Sequence, residues 1–155
     1  MKLRKYKEKD CLVLADLFYH TVHTINAKDY SKAQVDAWAT GKINIAAWNQ
    51  SFCEHDTLVA EQNGIIVGFG DMDHSGYLDR LYVHRDYQRQ GIASAIVNQL
   101  EQHALLHGIS VFTTHASITA KPFFEHQGYA LICENIVVRG GIPLTNFTMK
   151  KQVAR

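Results

Sequence analysis

Proline is nearly missing from this chain of 155 residues: there are two, Pro122 and Pro143, both in the last quarter. No proline-rich linker, repeat or low-complexity stretch divides it, so one domain over 1–155 is expected. Cysteine is sparse as well. Cys11, Cys53 and Cys133 lie far apart without a Cys-x-x-Cys pair, which argues against a disulfide framework and fits reduced thiols in a cytoplasmic protein. Nor is there an excess of charge of one sign, since 16 Lys and Arg stand against 15 Asp and Glu. Gripping a phosphate backbone takes a concentrated basic surface, so no nucleic acid is expected as a partner. No run approaches the roughly 18 apolar residues of a membrane span, and the lysine-rich residues 1–10 lack an apolar secretory core. The chain is expected to have no membrane partner.

A hydrophobic fraction of 46% with 20% charged residues is that of a globular protein able to bury one good core. Lys2 to Lys7 reads as a strand. Leu12, Ala15, Leu17, Phe18 and Val22 then recur at helical spacing over about 9–26, and a Ser31-x-x-Gln34 capping box opens a second helix that Gly41 stops. Thr57 to Glu61 and Ile65 to Asp71 are β-rich runs joined by Gln62-Asn63-Gly64, a hairpin signal. A further strand runs from Tyr77 to His84. The helix that follows places Ala93, Ile96, Val97, Leu100 and Ala104 on one stripe and ends at Gly108. Ile109 to Thr114, Tyr129 to Val138 and Leu144 to Lys151 read as strands, with a helix over Thr119 to Gln127. The order is β, α, α, β, β, β, α, β, α, β, β.

Where the strand Leu81-Tyr82-Val83 gives way to a helix stands Gln88-Arg89-Gln90-Gly91-Ile92-Ala93. A short turn at a helix start leaves backbone N–H groups unpaired and aimed at one spot, with the positive end of the helix dipole behind them. Such a spot suits phosphate. Gly91 lets the backbone approach an anion and Ala93 adds little bulk, although the hexapeptide alone is equally readable as a tight turn.

Gln88, Gly91 and Ala93 fit Gln/Arg-x-x-Gly-x-Gly/Ala, which resembles the pyrophosphate loop of the GCN5-related N-acetyltransferases (GNAT). Gln127-Gly128-Tyr129 is similar to that family's approach to its sixth strand, and Ala120-x-x-Phe123-Phe124 to its Ala-x-x-Phe-Tyr helix. The likeness spans nearly the whole chain. It implies an α/β (α+β) fold with a mixed, mostly antiparallel sheet of about seven strands flanked by four helices. Thr21-Val22, Asp29-Tyr30-Ser31, Gln34 and Ala37-Trp38 further resemble a bacterial subgroup of uncharacterised small-molecule N-acyltransferases.

The resemblance implies acetyl-CoA as cosubstrate. Its pyrophosphate would be held by the backbone amides of Arg89, Gln90, Gly91, Ile92, Ala93 and Ser94, and its pantetheine would pair with Leu81, Tyr82 and Val83; Gln88, Ala120, Phe123 and Phe124 are further expected cofactor contacts, and Ser117 either bonds the pantetheine or caps the helix. Acetyl transfer to the primary amine of a small molecule, or to an exposed amine, would then proceed directly in a ternary complex. An ammonium must first lose a proton, and a carboxylate on the cleft wall is the natural acceptor. Asp79 is the expected base, on the face of Leu81 and Val83 by the period-two rule; Asp71, Asp73 and His74 are alternatives, and a structural ion pair with Arg80 is the plain reading of Asp79. The family's usual acid is a Tyr where this chain has Phe124, a departure that leaves Tyr82, Tyr129, Ser117 and His115 as candidate donors. His23, Tyr30, Trp38 and Asp79 are expected to meet a small amine, the aromatics otherwise being core. His20 and Trp48 lie in the same covering segment. His103 and His107 form the one His-x-x-x-His pair without a third ligand in view, so no metal is expected. Two rivals remain: an acyl-CoA sensor without catalysis and a hydrolase using a Cys nucleophile. The assembly stays open between monomer and homodimer.

Overall fold

A computed structural model of the chain describes residues 1–154. Seven strands, β1 (Lys2–Lys5), β2 (Asp56–Gln62), β3 (Ile65–Met72), β4 (Tyr77–Val83), β5 (Val111–Ser117), β6 (Ala130–Arg139) and β7 (Ile142–Gln152), form one sheet in the order β1-β2-β3-β4-β5-β7-β6. All neighbours are antiparallel except β4 and β5. The strand count and the mostly antiparallel, mixed α/β architecture agree with the sequence. The helices are α1 (Cys11–Thr24), α2 (Lys32–Trp38), α3 (Ile45–Glu54), α4 (Ile92–Leu106) and α5 (Lys121–His126).

Among the described residues there are thus five α-helices where the sequence predicted four. The extra one, α3, starts at Asn44, whose Oδ1 accepts from the Ala47 N–H at 3.0 Å, a side-chain cap for an otherwise unpaired amide. Its apolar stripe is short because Asn49-Gln50-Ser51 interrupts it. Trp48 and Phe52, one turn apart, nonetheless pack their rings edge to face at 5.5 Å on the sheet. The second helix also ends sooner than predicted, at Trp38.

Each face of the sheet carries its own core. On one face Ile92, Ile96, Val97 and Leu100 of α4 pack against Leu58, Val67, Leu78 and Phe112. On the other, Leu14, Phe18 and Val22 of α1 and Phe52 of α3 cover Val59 and Phe69. Two glycines bring α4 close. A Cβ at Gly68 would meet Ile92 at 2.9 Å and one at Gly70 would meet Ile96 at 2.8 Å, so bare backbone on β3 lets the helix start sit low over the end of β4. Among the described residues, no helix is long and apolar enough to cross a membrane.

Candidate active site

β4 and β5 share only two ladder positions, Tyr77 with Thr113 and Leu78 with Thr114. Past them the strands part, and from Asp79 onward one edge of β4 has no strand beside it. The opening is a cleft of about 740 Å³, walled by β4 from Leu78 to Val83, the start of α4, the end of β5, α5 and the segment after α1. The segment after α1 is tied across it: Asp29 Oδ2 accepts from the Thr119 hydroxyl at 2.8 Å.

At one end of the cleft lies the loop before α4. Arg89 and Gly91 both have left-handed backbone, φ +61° and +79°, which turns successive amides inward. Gly91 is the N-cap residue of α4, so the N–H groups of the first turn lack partners within the helix. A Cβ at Gly91 would meet nothing within 4 Å, so the loop is open on the side where an anion would come. Gly91, Ile92, Ala93, Ser94 and Arg89 line the cleft, and Gln90 does not. Gln88 lines it too, but its Nε2 donates to the carbonyls of Val83 at 2.7 Å and His84 at 3.3 Å. Its side chain buckles the loop and leaves ligand contact to the backbone. The Ser94 hydroxyl accepts from Gln127 Nε2 at 2.9 Å, joining α4 to the end of α5. The bare amides and open glycine fit a diphosphate, and the free β4 edge fits a pantetheine arm.

Asp79 stands at the fork. β3 and β4 pair Asp71 with Arg80 and then Met72 with Leu78, so Asp79 is the extra residue of a β-bulge. A bulge breaks the period-two alternation, which corrects the sequence-based placement of this side chain. Leu81 and Val83 pack on the α4 face, whereas Asp79 turns to the opposite side. There its Oδ2 lies 3.5 Å from Arg80 Nη2, and a carboxylate oxygen, a His55 ring nitrogen and an Asp71 oxygen all lie within 4.8 Å of one another. Burial raises the Asp79 carboxyl above its ordinary range, opposed by Arg80 and reinforced by Asp71. Its side chain remains 38% exposed into the cleft.

Asp71, an alternative base by sequence, is fully buried and engaged. Arg80 donates through Nε to Oδ1 at 3.0 Å and through Nη2 to Oδ2 at 2.6 Å, and His55 Nδ1 lies 2.7 Å from Oδ2. The guanidinium also lies over the Phe52 ring at 4.3 Å. A cation at His55, Asp71 and Asp79 would have to share Asp71 with this guanidinium. Asp73 is taken up by its own turn, accepting from Ser75 and the Tyr77 N–H.

The aromatic candidates separate. Tyr82 lines the cleft with Trp38; it packs edge-on to Phe18 at 4.9 Å. Burial pushes its phenol upward, so the hydroxyl keeps its proton. Tyr129 is a correction. Its ring is in the core and its hydroxyl donates to Glu101 Oε2 at 2.8 Å, with Lys151 Nζ 2.7 Å from the other oxygen. It holds α4 to β7 from behind Phe124, outside the cleft lining. Tyr30 is corrected likewise: its hydroxyl donates to the Thr145 carbonyl and accepts from the Ile118 N–H, a structural bridge. His23 Nε2 lies 2.7 Å from the Ala39 carbonyl and its ring packs on Tyr19 at 4.2 Å, outside the cleft lining. Ser117 lines the cleft while its Oγ accepts from the Ala120 N–H at 3.0 Å, capping the approach to α5. Ala120, Phe123 and Phe124 form the wall beside it.

Sequence reasoning passed over His55 and gave Arg80 only as a partner of Asp79. The β3–β4 hairpin register offered a signal for Arg80, since opposite charges facing across two strands pair. His55 has no such local signal, because it reaches Asp71 only once α3 has delivered it to the start of β2.

A family profile described as an acetyltransferase (GNAT) domain matches residues 26–151. The uncharacterised N-acetyltransferase YafP of Escherichia coli is 34% identical over 151 residues, 97% of this chain and 95% of that one. A GCN5-related N-acetyltransferase from Rhodopseudomonas palustris superposes with a TM-score of 0.94 at 33% identity, over 98% of this chain and 95% of that one. The PaiA N-acetyltransferase of Thermoplasma acidophilum, solved in complex with coenzyme A, gives 0.80 at 17% identity over 98% of both.

Proposed function

Since this chain belongs to the GNAT family of acetyltransferases and is an acyltransferase, we propose that it transfers acetyl from acetyl-CoA directly to the primary amine of a small molecule. One observation carries this reading: a partly buried carboxylate, Asp79, and an open ring of helix-start amides at Gly91 wall the same cleft. The coenzyme A bound to the Thermoplasma relative supports the cosubstrate.

Acetyl-CoA supplies an activated acetyl carbonyl on a thiol leaving group. The protein's share is positioning and proton movement. The amides of Ile92, Ala93 and Ser94 hold the diphosphate, and the β4 edge at Leu81 and Val83 aligns the pantetheine arm. Asp79 accepts a proton from the acceptor ammonium at a carboxylate oxygen, and its raised pKa brings it nearer to the task. Tyr82, a lining residue whose phenol keeps its proton, is the donor this reading favours. Trp38 offers an aromatic wall for the amine. Cys11 is buried and the exposed Cys53 and Cys133 lie off the cleft lining, which supports transfer without an acyl-enzyme. Three free thiols also support a reducing, cytoplasmic setting.

The test is coenzyme A release with a panel of primary amines, the products identified by mass spectrometry. Intersecting initial-velocity patterns are expected. Parallel patterns would overturn direct transfer, and tight acetyl-CoA binding without turnover on any amine would leave a sensor.

A further inference from the structure

We propose that His55, fixed by Asp71, is a positioning residue that holds Asp79 ionised and leads away the proton Asp79 accepts. The proposal rests on the reading of Asp79 as the proton acceptor and names the route beyond it. His55 is the residue just past α3, before β2, and its Nδ1 lies 2.7 Å from Asp71 Oδ2. Asp71 cannot swing away, because it is fully buried and Arg80 binds both of its oxygens. The ring is therefore oriented by a carboxylate that is itself clamped. With Nδ1–H donating to Asp71, Nε2 is left as the basic nitrogen.

Asp79 is close to this ring, a carboxylate oxygen lying within 4.8 Å of a ring nitrogen. A gap of up to that width admits one bridging water. The charged groups around His55 are Asp71 of β3, Asp73 in the following turn, and Asp79 and Arg80 of β4. The carboxylates outnumber the guanidinium, and the hydrogen bond to Asp71, then Asp79, raises the imidazole above its ordinary value while Arg80 opposes them. An imidazolium there favours the ionised form of Asp79 in turn.

The proton balance is simple. The acceptor ammonium gives one proton to an Asp79 oxygen; Asp79 passes it to the neutral His55 ring, which becomes imidazolium and releases it to solvent through the exposed 17% of its side chain. Asp79 ends each cycle as carboxylate. Without His55 it would shed that proton directly and would ionise at higher pH.

His55→Asn is the informative substitution, because its amide can still donate to Asp71 but does not titrate. In the full-length protein, the acid limb of kcat/KM for the acceptor should move up by about one pH unit, the scale of one nearby charge. KM for acetyl-CoA should stay unchanged. A parental acid limb in a folded His55→Asn protein would overturn the proposal. A second measurement needs no turnover: the imidazole proton resonances of His55, assigned by their loss in His55→Asn, should titrate at lower pH in Asp79→Asn than in the parent. An unchanged titration would also overturn it. If Asp79→Asn keeps full turnover, it is the reading of Asp79 as base that fails.

Discussion

The two ends of the cleft are built by different means. The loop end comes from one contiguous stretch, Val83 to Ser94, and its working surface is backbone: amides at a helix start, a left-handed glycine with open space beside it, and a glutamine that buckles the turn. The other end is assembled from His55, Asp71, Asp79 and Arg80, which two strands and a helix terminus bring together, and it presents side chains. Damage at the first end should act on binding and damage at the second on proton transfer.

The strongest break of this comparison is Gly91→Glu. It forces a side chain into left-handed backbone at a cost of about 1–2 kcal/mol, small enough to leave the fold standing because nothing crowds the added Cβ. A carboxylate beside a diphosphate at about 4 Å should cost about 4 kcal/mol, or roughly 10³-fold in acetyl-CoA affinity. Calorimetry checks it. Unchanged affinity would remove the loop from phosphate binding.

Asp79→Asn tests the other end. Turnover should drop by ~10²-fold with acetyl-CoA affinity kept, the low end for loss of a general base. The raised carboxyl also sets a sign. Parental kcat/KM should fall as pH drops through that pKa, at higher pH than an ordinary aspartate would give, and Asn should abolish this limb. Retained turnover with the limb intact would take Asp79 out of the mechanism and erase the division between the two ends.

How much of each end was legible in the sequence follows from how it is built. A turn before an amphipathic helix is local, so Gly91 and the stripe of α4 stood out, and so did the seven strands. The bulge at Asp79 did not, because alternation counted from Leu81 assumes an unbroken ladder, and the extra residue shows only when Met72 is seen opposite Leu78. Helix α3 was hidden by the polar interruption at Asn49 to Ser51, and His55 with it. Tyr129 and Tyr30 misled for a related reason. A tyrosine signals a hydroxyl in want of a partner, but the partners, Glu101 and the Thr145 carbonyl, belong to segments distant in sequence.

Tyr129→Phe should therefore affect stability and spare both ends of the cleft. It removes a donor from a buried carboxylate still paired with Lys151, which should cost about 1–3 kcal/mol. The expected result is a lower Tm with kcat within about twofold of the parent, about 0.4 kcal/mol of barrier. A large loss of kcat at unchanged stability would return this phenol to the chemistry.

The smallest effect is expected from Phe124→Tyr, which sharpens the question of which end limits the rate. Phe124 is a cleft wall and almost fully buried, edge-on to Phe123 at 5.1 Å and to Tyr129 at 5.2 Å. The added hydroxyl restores the donor that the resemblance leads one to expect. A thiol with pKa about 8.5 departs readily without help, so proton delivery to the sulfur is not the step that should respond. Removing the proton from an ammonium of pKa about 10 is the harder task near neutrality. Turnover should accordingly change less than about threefold, under 1 kcal/mol of barrier, with acetyl-CoA affinity kept. A tenfold gain would show that the sulfur end limits the rate, making proton transfer at Asp79 fast. A tenfold loss with intact binding would show that the wall has no room for the oxygen, and that any donor reaches the sulfur from the side of Tyr82.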